Sequence, residues 1–222
     1  MRFVVEQTGR KDYGTIVQDT NLITKTMDQW EVDGWAAAFL DSSIKDSIDR
    51  TSRIDDSKNV KAHHSDWKFF EQSQSVSIVC NQAVSFVKSI VSEESNVNWD
   101  INLEEGWGIK YERGDSTRKH SHFPHSWSFV YMVSGCDQCS PLDLYAIPDE
   151  SLKKLFNYTF ERHEITFEPG KMVIFPGWVN HEVKEHTCDH ARYAVAGNIS
   201  QQTADCSGRI INVDGYISGI ER

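Results

Sequence analysis

The sequence predicts an α+β protein that is mainly β, with helices in its first part and an antiparallel sandwich or barrel in its second. Three observations predict this order: an apolar stripe at helical spacing before residue 100, short alternating runs after it, and Pro-Gly pairs between those runs. With 222 residues, 39% of them hydrophobic, the chain can bury a sizeable core. We therefore expect a single domain over 1–222, with a mainly helical buttress at 1–100 and a β core at 101–222.

The helical pattern is strongest at residues 74–91, where apolar side chains recur every three or four positions. This stripe predicts an amphipathic helix that packs against another part of the protein. A weaker helical pattern covers residues 28–48 and is interrupted by Gly34. The apolar stripe at residues 74–91 consists of Val76, Val79, Cys80, Ala83, Val84, Val87, Ile90 and Val91.

The second part contains short apolar or alternating segments that favour strands. Pro169-Gly170 and Pro176-Gly177 separate some of them and predict tight turns. Because no linker lies between the two parts, we expect the helices to support the barrel. The predicted strands are 107–111, 128–133, 164–168, 171–175 and 191–199.

The composition argues against several classes of protein. The net charge of −10 disfavours a nucleic-acid partner, because no local basic run compensates for it. We see neither a run of about 20 apolar residues nor a secretory signal, and therefore expect a cytoplasmic protein without a membrane partner. The odd number of cysteines, five, argues against a secreted disulfide framework.

Three histidines have a spacing that predicts a metal site. His120 and His122 form an H-x-H pair, and if both lie on one strand, their rings point to the same side. His181 follows the Pro176-Gly177 turn and is expected on the next strand. A lone H-x-H is more often a pair of hydrogen-bonded histidines, but the succession of turns and strands favours one divalent metal held by His120, His122 and His181.

Arg192 is the next informative residue. On the strand 191–199, alternation places Arg192, Ala194, Ala196 and Asn198 on one face. Two alanines leave space for a small ligand, and a buried guanidinium needs an anionic partner. Two readings stay open: Arg192 binds the carboxylate of a small molecule, or it pairs with an Asp or Glu at the rim of the barrel.

At these positions the sequence resembles the 2-oxoglutarate- and Fe(II)-dependent oxygenases, in particular phage-type members of the prolyl-hydroxylase-like branch. The resemblance covers about half of the chain, and nothing in the N-terminal half contributes to it. The matching segments are 107–115, 120–122 with 127–131, 140–142, 173–181 and 192–198.

The resemblance implies a double-stranded β-helix, a jelly-roll or cupin-like barrel, with Fe(II), O2 and the cosubstrate 2-oxoglutarate. It makes His120 and His181 iron ligands and Arg192 the partner of the distal carboxylate of 2-oxoglutarate, with Tyr111 beside it. Asn198 matches a family position at the end of the strand that carries Arg192, and we count it with Arg192 and Tyr111 as a cofactor-binding residue. The implied activity is that of a dioxygenase, which hydroxylates a prolyl, peptide or small-molecule substrate and converts 2-oxoglutarate to succinate.

The third ligand position departs from this family. The usual motif is His-x-Asp or His-x-Glu, whereas this chain has His122. One alternative is a carboxylate from Asp137 or Asp143, and another makes His122 the first ligand with His125 near it. We favour the three-histidine set.

Three further readings compete, and one of them is a non-enzymatic barrel that serves as a capsid or binding module and has lost its ligands. A cupin-type metal-binding protein, or a three-histidine dioxygenase or isomerase that does not use 2-oxoglutarate, would use the same histidines. A structural zinc protein would use Cys136-Asp-Gln-Cys139 with Cys188-Asp-His190, which otherwise read as loop residues. His63-His64 is expected on a polar loop.

Overall fold

The computed structural model describes the backbone at residues 4–6, 15–17, 34–55, 59–94, 98–146, 161–204 and 210–212, and side chains within 40–55, 59–92, 98–145 and 162–202. Two α-helices, α1 (Gly34–Thr51) and α2 (Gln74–Glu94), and a 3-10 turn (Phe69–Glu71) accompany the strands. The strands are β1 (Val4–Glu6), β2 (Thr15–Val17), β3 (Arg53–Asp55), β4 (Val60–His64), β5 (Trp99–Tyr111), β6 (Ser116–His120), β7 (Trp127–Ser134), β8 (Leu142–Ala146), β9 (Glu161–Ile165), β10 (Met172–Pro176), β11 (Asn180–Val183), β12 (Arg192–Ala204) and β13 (Ile210–Asn212).

The strands β5 to β12 form two antiparallel sheets. Along the chain, successive strands mostly alternate between these two sheets. The first sheet has the order β10-β7-β12-β5, and the second has the order β6-β11-β8-β9. Strand β4 pairs with both β5 and β6 and so connects the sheets along one side. This alternation is the double-stranded β-helix, so the predicted fold class is confirmed.

The apolar side chains form two clusters, one on each face of the first sheet. One cluster joins the two helices to the outer face of that sheet, and the other fills the space between the sheets. Strand β12 shows the division most clearly, because Tyr193 and Val195 belong to the outer cluster, whereas Ala194 and Ala196 face the inner one. The alternation predicted for 191–199 is therefore confirmed, and Arg192 points into the barrel.

Helix α2 confirms the predicted amphipathic helix and extends it to Glu94. Its stripe is buried in the outer cluster, and only Val84 and Ile90 are partly exposed. The segment Gln74–Ser92 is long and apolar enough to cross a membrane by length and composition, which the sequence reading did not anticipate, but its apolar side packs against the sheet. Helix α1 begins at Gly34 instead of being interrupted there, and residues 28–33 of that prediction lie outside the described residues.

Each predicted strand overlaps an observed one, but the bounds differ, most of all for 164–168, which shares only two residues with β9. Strand β5 begins at Trp99, eight residues before the predicted start, because its pairing with β12 continues from Arg192 to Thr203. Strand β9 ends at Ile165 rather than at Glu168, where the chain already turns toward Gly170. Gly114 and Gly170 have φ angles of 89° and 87°, a backbone conformation that glycine adopts without strain.

The expectation for His63-His64 was wrong. Both residues lie on β4, where they pair with Lys110 and Ile109 of β5. His64 is buried, because β4 closes the side of the barrel between β5 and β6. The first part of the chain therefore contributes strands as well as supporting helices.

Candidate active site

The three predicted histidines meet inside the barrel. His120 is the last residue of β6 and lies directly opposite His181 of β11 in the antiparallel pair. His122 lies two residues beyond the end of β6, so the premise that it shares a strand with His120 was wrong. Its ring still reaches the others, because its backbone N–H donates to the carbonyl of Gly177 at 2.8 Å, and the N–H of Gly177 donates to the carbonyl of Ser126 at 2.9 Å.

The geometry of the histidine triad suits one metal ion. The Nε2 atoms of His122 and His181 lie 3.2 Å apart, and the ring of His120 is centred 4.3 Å from that of His181 and 4.9 Å from that of His122. Two nitrogens that each lie about 2.1 Å from one ion are separated by roughly 3.0 Å at a right angle and 3.4 Å at a tetrahedral angle. The observed separation falls between these values, so the donor set fits an ion.

Two of the rings are held in the orientation that a ligand needs. The Nδ1 atom of His120 lies 2.7 Å from the carbonyl of Arg118, and that of His181 lies 3.0 Å from the carbonyl of Val179. Since a carbonyl only accepts, Nδ1 carries the proton in both rings and Nε2 keeps its lone pair. Backbone geometry thus fixes the tautomer of both histidines.

The triad is also held in its neutral form. Burial lowers the pKa of His120 and places that of His181 well below its ordinary value, with the neighbouring histidines adding to the effect at His181. Burial lowers the pKa of His122 to about 3, and the proximity of His120 and His125 contributes. Neutral imidazole is the form that binds metals, so the site is ready to bind one at neutral pH.

Asn198 lies behind His122. Its Nδ2 donates to Glu105 at 2.7 Å and lies 3.3 Å from Nδ1 of His122, while its Oδ1 accepts from Ser128 at 3.0 Å. Because an amide nitrogen donates, His122 accepts at Nδ1 and carries its proton on Nε2, toward His181. The sequence placed Asn198 among the cosubstrate residues, and in the structure its side chain contacts the metal side of the cavity.

The alternative ligands named from the sequence lie elsewhere. Asp137 is exposed, and Asp143 is buried in ion pairs with Arg162 at 2.9 Å and Lys184 at 3.3 Å. His125 faces Glu105 at 3.8 Å. Among the residues that the structure describes, the group that could hold an ion at this place contains the three histidines and no carboxylate.

Arg192 is buried, and it has no anionic partner among the residues that the structure describes. It lies opposite Tyr111 across the β12–β5 pair, and its guanidinium carbon is 4.9 Å from the ring centroid of Tyr111 and 5.0 Å from that of Phe167. The side chain is 1% exposed, yet its Nε and one terminal nitrogen have no hydrogen-bond partner among the described residues. The hypothesis that Arg192 pairs with an Asp or Glu at the rim of the barrel was therefore wrong for the residues that the structure describes.

An isolated buried guanidinium is costly, and an anionic ligand would remove the cost. Burial lowers the pKa of Arg192 and raises that of Tyr111, whose hydroxyl lies 2.7 Å from that of Thr117. The hydroxyls of Tyr111 and Thr117 therefore stand beside the cation as uncharged hydrogen-bonding groups. One cation with two neighbouring hydroxyl groups is a suitable binding site for a carboxylate.

One cavity contains both the triad and Arg192. Its empty volume is about 600 Å³, part of it open to solvent, and its walls include Ala194 and Ala196. Sequence reasoning missed three further wall residues, His64, Trp67 and Trp107, whose rings contact one another at centroid distances from 4.6 to 5.7 Å. Their positions follow from the pairing of β4 with β5, and no local pattern in the sequence predicts that pairing.

A double-stranded β-helix with three convergent histidines and a buried arginine in one cavity is the arrangement expected of non-haem metal proteins of the cupin and oxygenase type. Residues 105–198 match the sequence model of a family described as 2OG-Fe(II) oxygenase. This segment spans β5 to β12 and includes every predicted site residue. The match over the barrel segment, together with the shared fold, supports the 2-oxoglutarate/Fe(II) oxygenase superfamily that the resemblance predicted.

Solved structures with a similar fold share little sequence with this chain. A prolyl-4-hydroxylase from Pseudomonas putida is 13% identical with a TM-score of 0.52, over 76% of this chain and 87% of that one. A prolyl hydroxylase from Trichoplax adhaerens, solved with a peptide of hypoxia inducible factor, is 15% identical with a TM-score of 0.51, over 72% and 78%.

A non-haem α-ketoglutarate-dependent epimerase of nogalamycin biosynthesis has a TM-score of 0.62 at 9% identity, over 83% of this chain and 81% of that one. No curated protein sequence matches the chain. At these identities the structural likeness establishes the fold and leaves the substrate open.

Proposed function

We propose that this protein is an Fe(II)- and 2-oxoglutarate-dependent dioxygenase that hydroxylates a peptide, in particular a prolyl side chain, or a small molecule. The observation that carries the proposal is the buried guanidinium of Arg192, which has no anionic partner among the described residues and lies in the same cavity as the histidine triad. A metal site alone would suit a cupin equally well. The unsatisfied cation is what favours a cosubstrate with a carboxylate.

In this proposal His120, His122 and His181 hold the iron. The iron, when bound, supplies the activation of O2 that couples decarboxylation of 2-oxoglutarate to succinate with oxidation of the substrate. The carbonyls of Arg118 and Val179 keep the rings of His120 and His181 oriented. The aromatic and aliphatic walls of the cavity exclude water from the reacting groups.

Arg192 binds the distal carboxylate of 2-oxoglutarate. A guanidinium presents two parallel N–H groups to a carboxylate, and the two free nitrogen positions of Arg192 are available for this contact. Tyr111 and Thr117 donate further hydrogen bonds at the same end of the cavity. Ala194 and Ala196, on the same face of β12, leave room for the carbon chain of the cosubstrate.

The surroundings of the triad support a substrate with an apolar ring. Trp67, Phe123 and Trp178 are 50%, 54% and 39% exposed, an unusual degree for large aromatic side chains. Phe123 follows His122 directly, Trp178 lies just before His181, and Trp67 lines the cavity. Proline-containing peptides dock on aromatic side chains of this kind, which favours a prolyl peptide over a small polar molecule.

The first experiment is an anaerobic titration of the Fe(II)-loaded protein with 2-oxoglutarate, monitored by the visible charge-transfer absorption of the chelate. We expect a saturable band in the wild type. In Arg192→Ala the band requires at least about 30-fold more 2-oxoglutarate, because truncation of one partner of a buried charged pair costs roughly 2 kcal/mol or more.

Arg113→Ala is the matched control, since Arg113 is 62% exposed and pairs with Asp189 outside the cavity. The control should titrate like the wild type. If iron binds but no band forms at any concentration, the protein does not use 2-oxoglutarate, and the cupin-type reading replaces this proposal.

Substrate class is tested by succinate formation in the presence of proline-rich peptides or of small apolar molecules. Trp67→Ala should raise the KM for a peptide substrate and leave the binding of 2-oxoglutarate unchanged, because Trp67 contacts the rings of His64 and Trp107. Arg192 instead lies over the rings of Tyr111 and Phe167. Stimulation by small molecules alone would assign the small-molecule class.

A further inference from the structure

A second cluster of metal-binding side chains lies outside the histidine triad. Cys136 and Cys139 belong to the turn after β7, and Cys188 and His190 belong to the segment between β11 and β12. The Sγ atom of Cys136 lies 3.7 Å from that of Cys139 and 3.3 Å from that of Cys188. The thiols of Cys139 and Cys188 are also within 4.8 Å of each other. Three thiols from two distant segments therefore converge on one point.

The spacing of the sulfurs suits coordination of a common ion. Sulfurs that each lie about 2.3 Å from a tetrahedral Zn²⁺ are roughly 3.8 Å apart. A disulfide would require about 2.05 Å, and all four described cysteines have free thiols.

His190 is the fourth side chain of the cluster. Its Nδ1 lies 3.4 Å from the sulfur of Cys188, and it is within 4.8 Å of Cys136 as well. His186 also lies near Cys139 and Cys188, but both of its ring nitrogens already have backbone partners: Nδ1 accepts from the N–H of Ser140, and Nε2 lies 2.8 Å from the carbonyl of His190. His190 is therefore the available ligand.

Two sulfurs of the cluster accept hydrogen bonds from backbone N–H groups. The N–H of Cys136 donates to the sulfur of Cys139 at 3.2 Å, and the N–H of His190 donates to that of Cys188 at 3.3 Å. Hydrogen bonds of this kind stabilise the negative sulfur that a metal ligand requires. Cys139 and Cys188 are buried, whereas His190 is exposed, so an ion could enter from the side of His190.

We propose that Cys136, Cys139, Cys188 and His190 bind one structural Zn²⁺. Three thiolates and one imidazole fill a tetrahedral shell, so this site is closed and has no position for a substrate. It ties the turn after β7 to the segment that leads into β12. Arg192 begins β12 only two residues after His190, so the zinc fixes the start of the strand that carries the cosubstrate cation.

The test uses the full chain with His181→Ala, which removes the iron site and makes the zinc measurement independent of the proposed oxygenase function. We expect about one Zn²⁺ per chain by elemental analysis, with X-ray absorption that reports mainly sulfur at about 2.3 Å. Adding Cys188→Ser should remove most of this zinc. Cys80→Ala is the matched control, because Cys80 is a buried thiol in α2 away from the cluster, and it should keep the full content.

A second measurement covers the case in which Cys188→Ser does not fold. The otherwise unmodified chain is reconstituted with Co²⁺ alone, and a thiolate-to-cobalt charge-transfer band is expected that His190→Ala weakens. Any one of three results would overturn the proposal. These are a zinc coordination shell of nitrogen and oxygen only, absence of the thiolate band in folded protein, and a disulfide between Cys136 and Cys188 in protein kept under reducing conditions.

Discussion

The Nε2 atoms of His122 and His181, which are 59 residues apart in the sequence, lie 3.2 Å from each other in the barrel. Each ring is anchored from behind, His181 by the carbonyl of Val179 and His122 by the amide of Asn198. The metal-binding faces of both rings are therefore fixed by the fold before an ion arrives. This pre-organisation underlies the first two predictions.

His181→Ala should abolish stoichiometric Fe(II) binding. His181 is buried at the centre of the triad, and loss of a group that merely orients a ligand already costs about 10- to 100-fold in metal affinity, so loss of the ligand itself should cost more. Anaerobic calorimetry measures the affinity. His63→Ala, on β4 with its ring toward Glu112, is the control and should bind normally. Unchanged binding in His181→Ala would remove this residue from the site.

His122→Asp should retain iron, whereas His122→Ala should bind it more weakly. In the described arrangement the proton of His122 lies on Nε2, where it must be displaced by a metal. An aspartate at this position has no such proton, and the Nδ2 of Asn198 is placed to donate to its second oxygen. Elemental analysis after anaerobic loading measures both variants. A folded but iron-free His122→Asp protein would show that imidazole is required there.

Arg192→Met should stabilise the protein in the absence of ligands. The guanidinium is buried, and no described side chain supplies an anion to it. Replacement of buried charges by apolar side chains of similar volume is often stabilising by about 1–4 kcal/mol. The expected rise in Tm is roughly 2–4 °C for each kcal/mol. Added 2-oxoglutarate should raise the Tm of the iron-loaded wild type and leave that of the variant unchanged. A lower Tm of the variant without ligand would mean that a partner already satisfies Arg192.

Asp41→Asn should remove a pH-dependent loss of stability. Burial raises the pKa of Asp41 from 3.8 to about 6, partly offset by the hydrogen bond from the hydroxyl of Tyr131 at 2.7 Å. Because the folded pKa is the higher one, the folded state binds more protons between about pH 4 and pH 6, and stability contributed by Asp41 is lost as the pH rises through this window.

The asparagine keeps an acceptor for Tyr131 and has no charge, so the variant should be more stable than the wild type at pH 7 by about 1 kcal/mol. This is less than the full free-energy equivalent of the pKa shift of Asp41, because part of the side chain is exposed. Urea unfolding at pH 4 and pH 7 measures the difference. An equal gap at both pH values would contradict the assignment to Asp41.

Much of the fold could be predicted because its signals are local. The stripe of α2, the turn at Pro169-Gly170 and the alternation along β12 each depend on neighbours in the sequence, and each lies where it was predicted. The extra length of β5 and the strand at His63-His64 could not be predicted, because they are set by pairing with distant strands.

By itself, the sequence determined which chemical groups are present and in what order: two histidines, a turn, a third histidine and an arginine that faces inward. Only the tertiary structure decided that Arg192 has no described carboxylate partner, that Asn198 stands behind His122, and that Cys136 approaches Cys188. The physical reason is that strand period and turn geometry are short-range properties of the backbone. The burial of a side chain, its hydrogen-bond partners and its ability to bind an ion depend on contacts between distant segments. Those segments come together only when the strands pair in register.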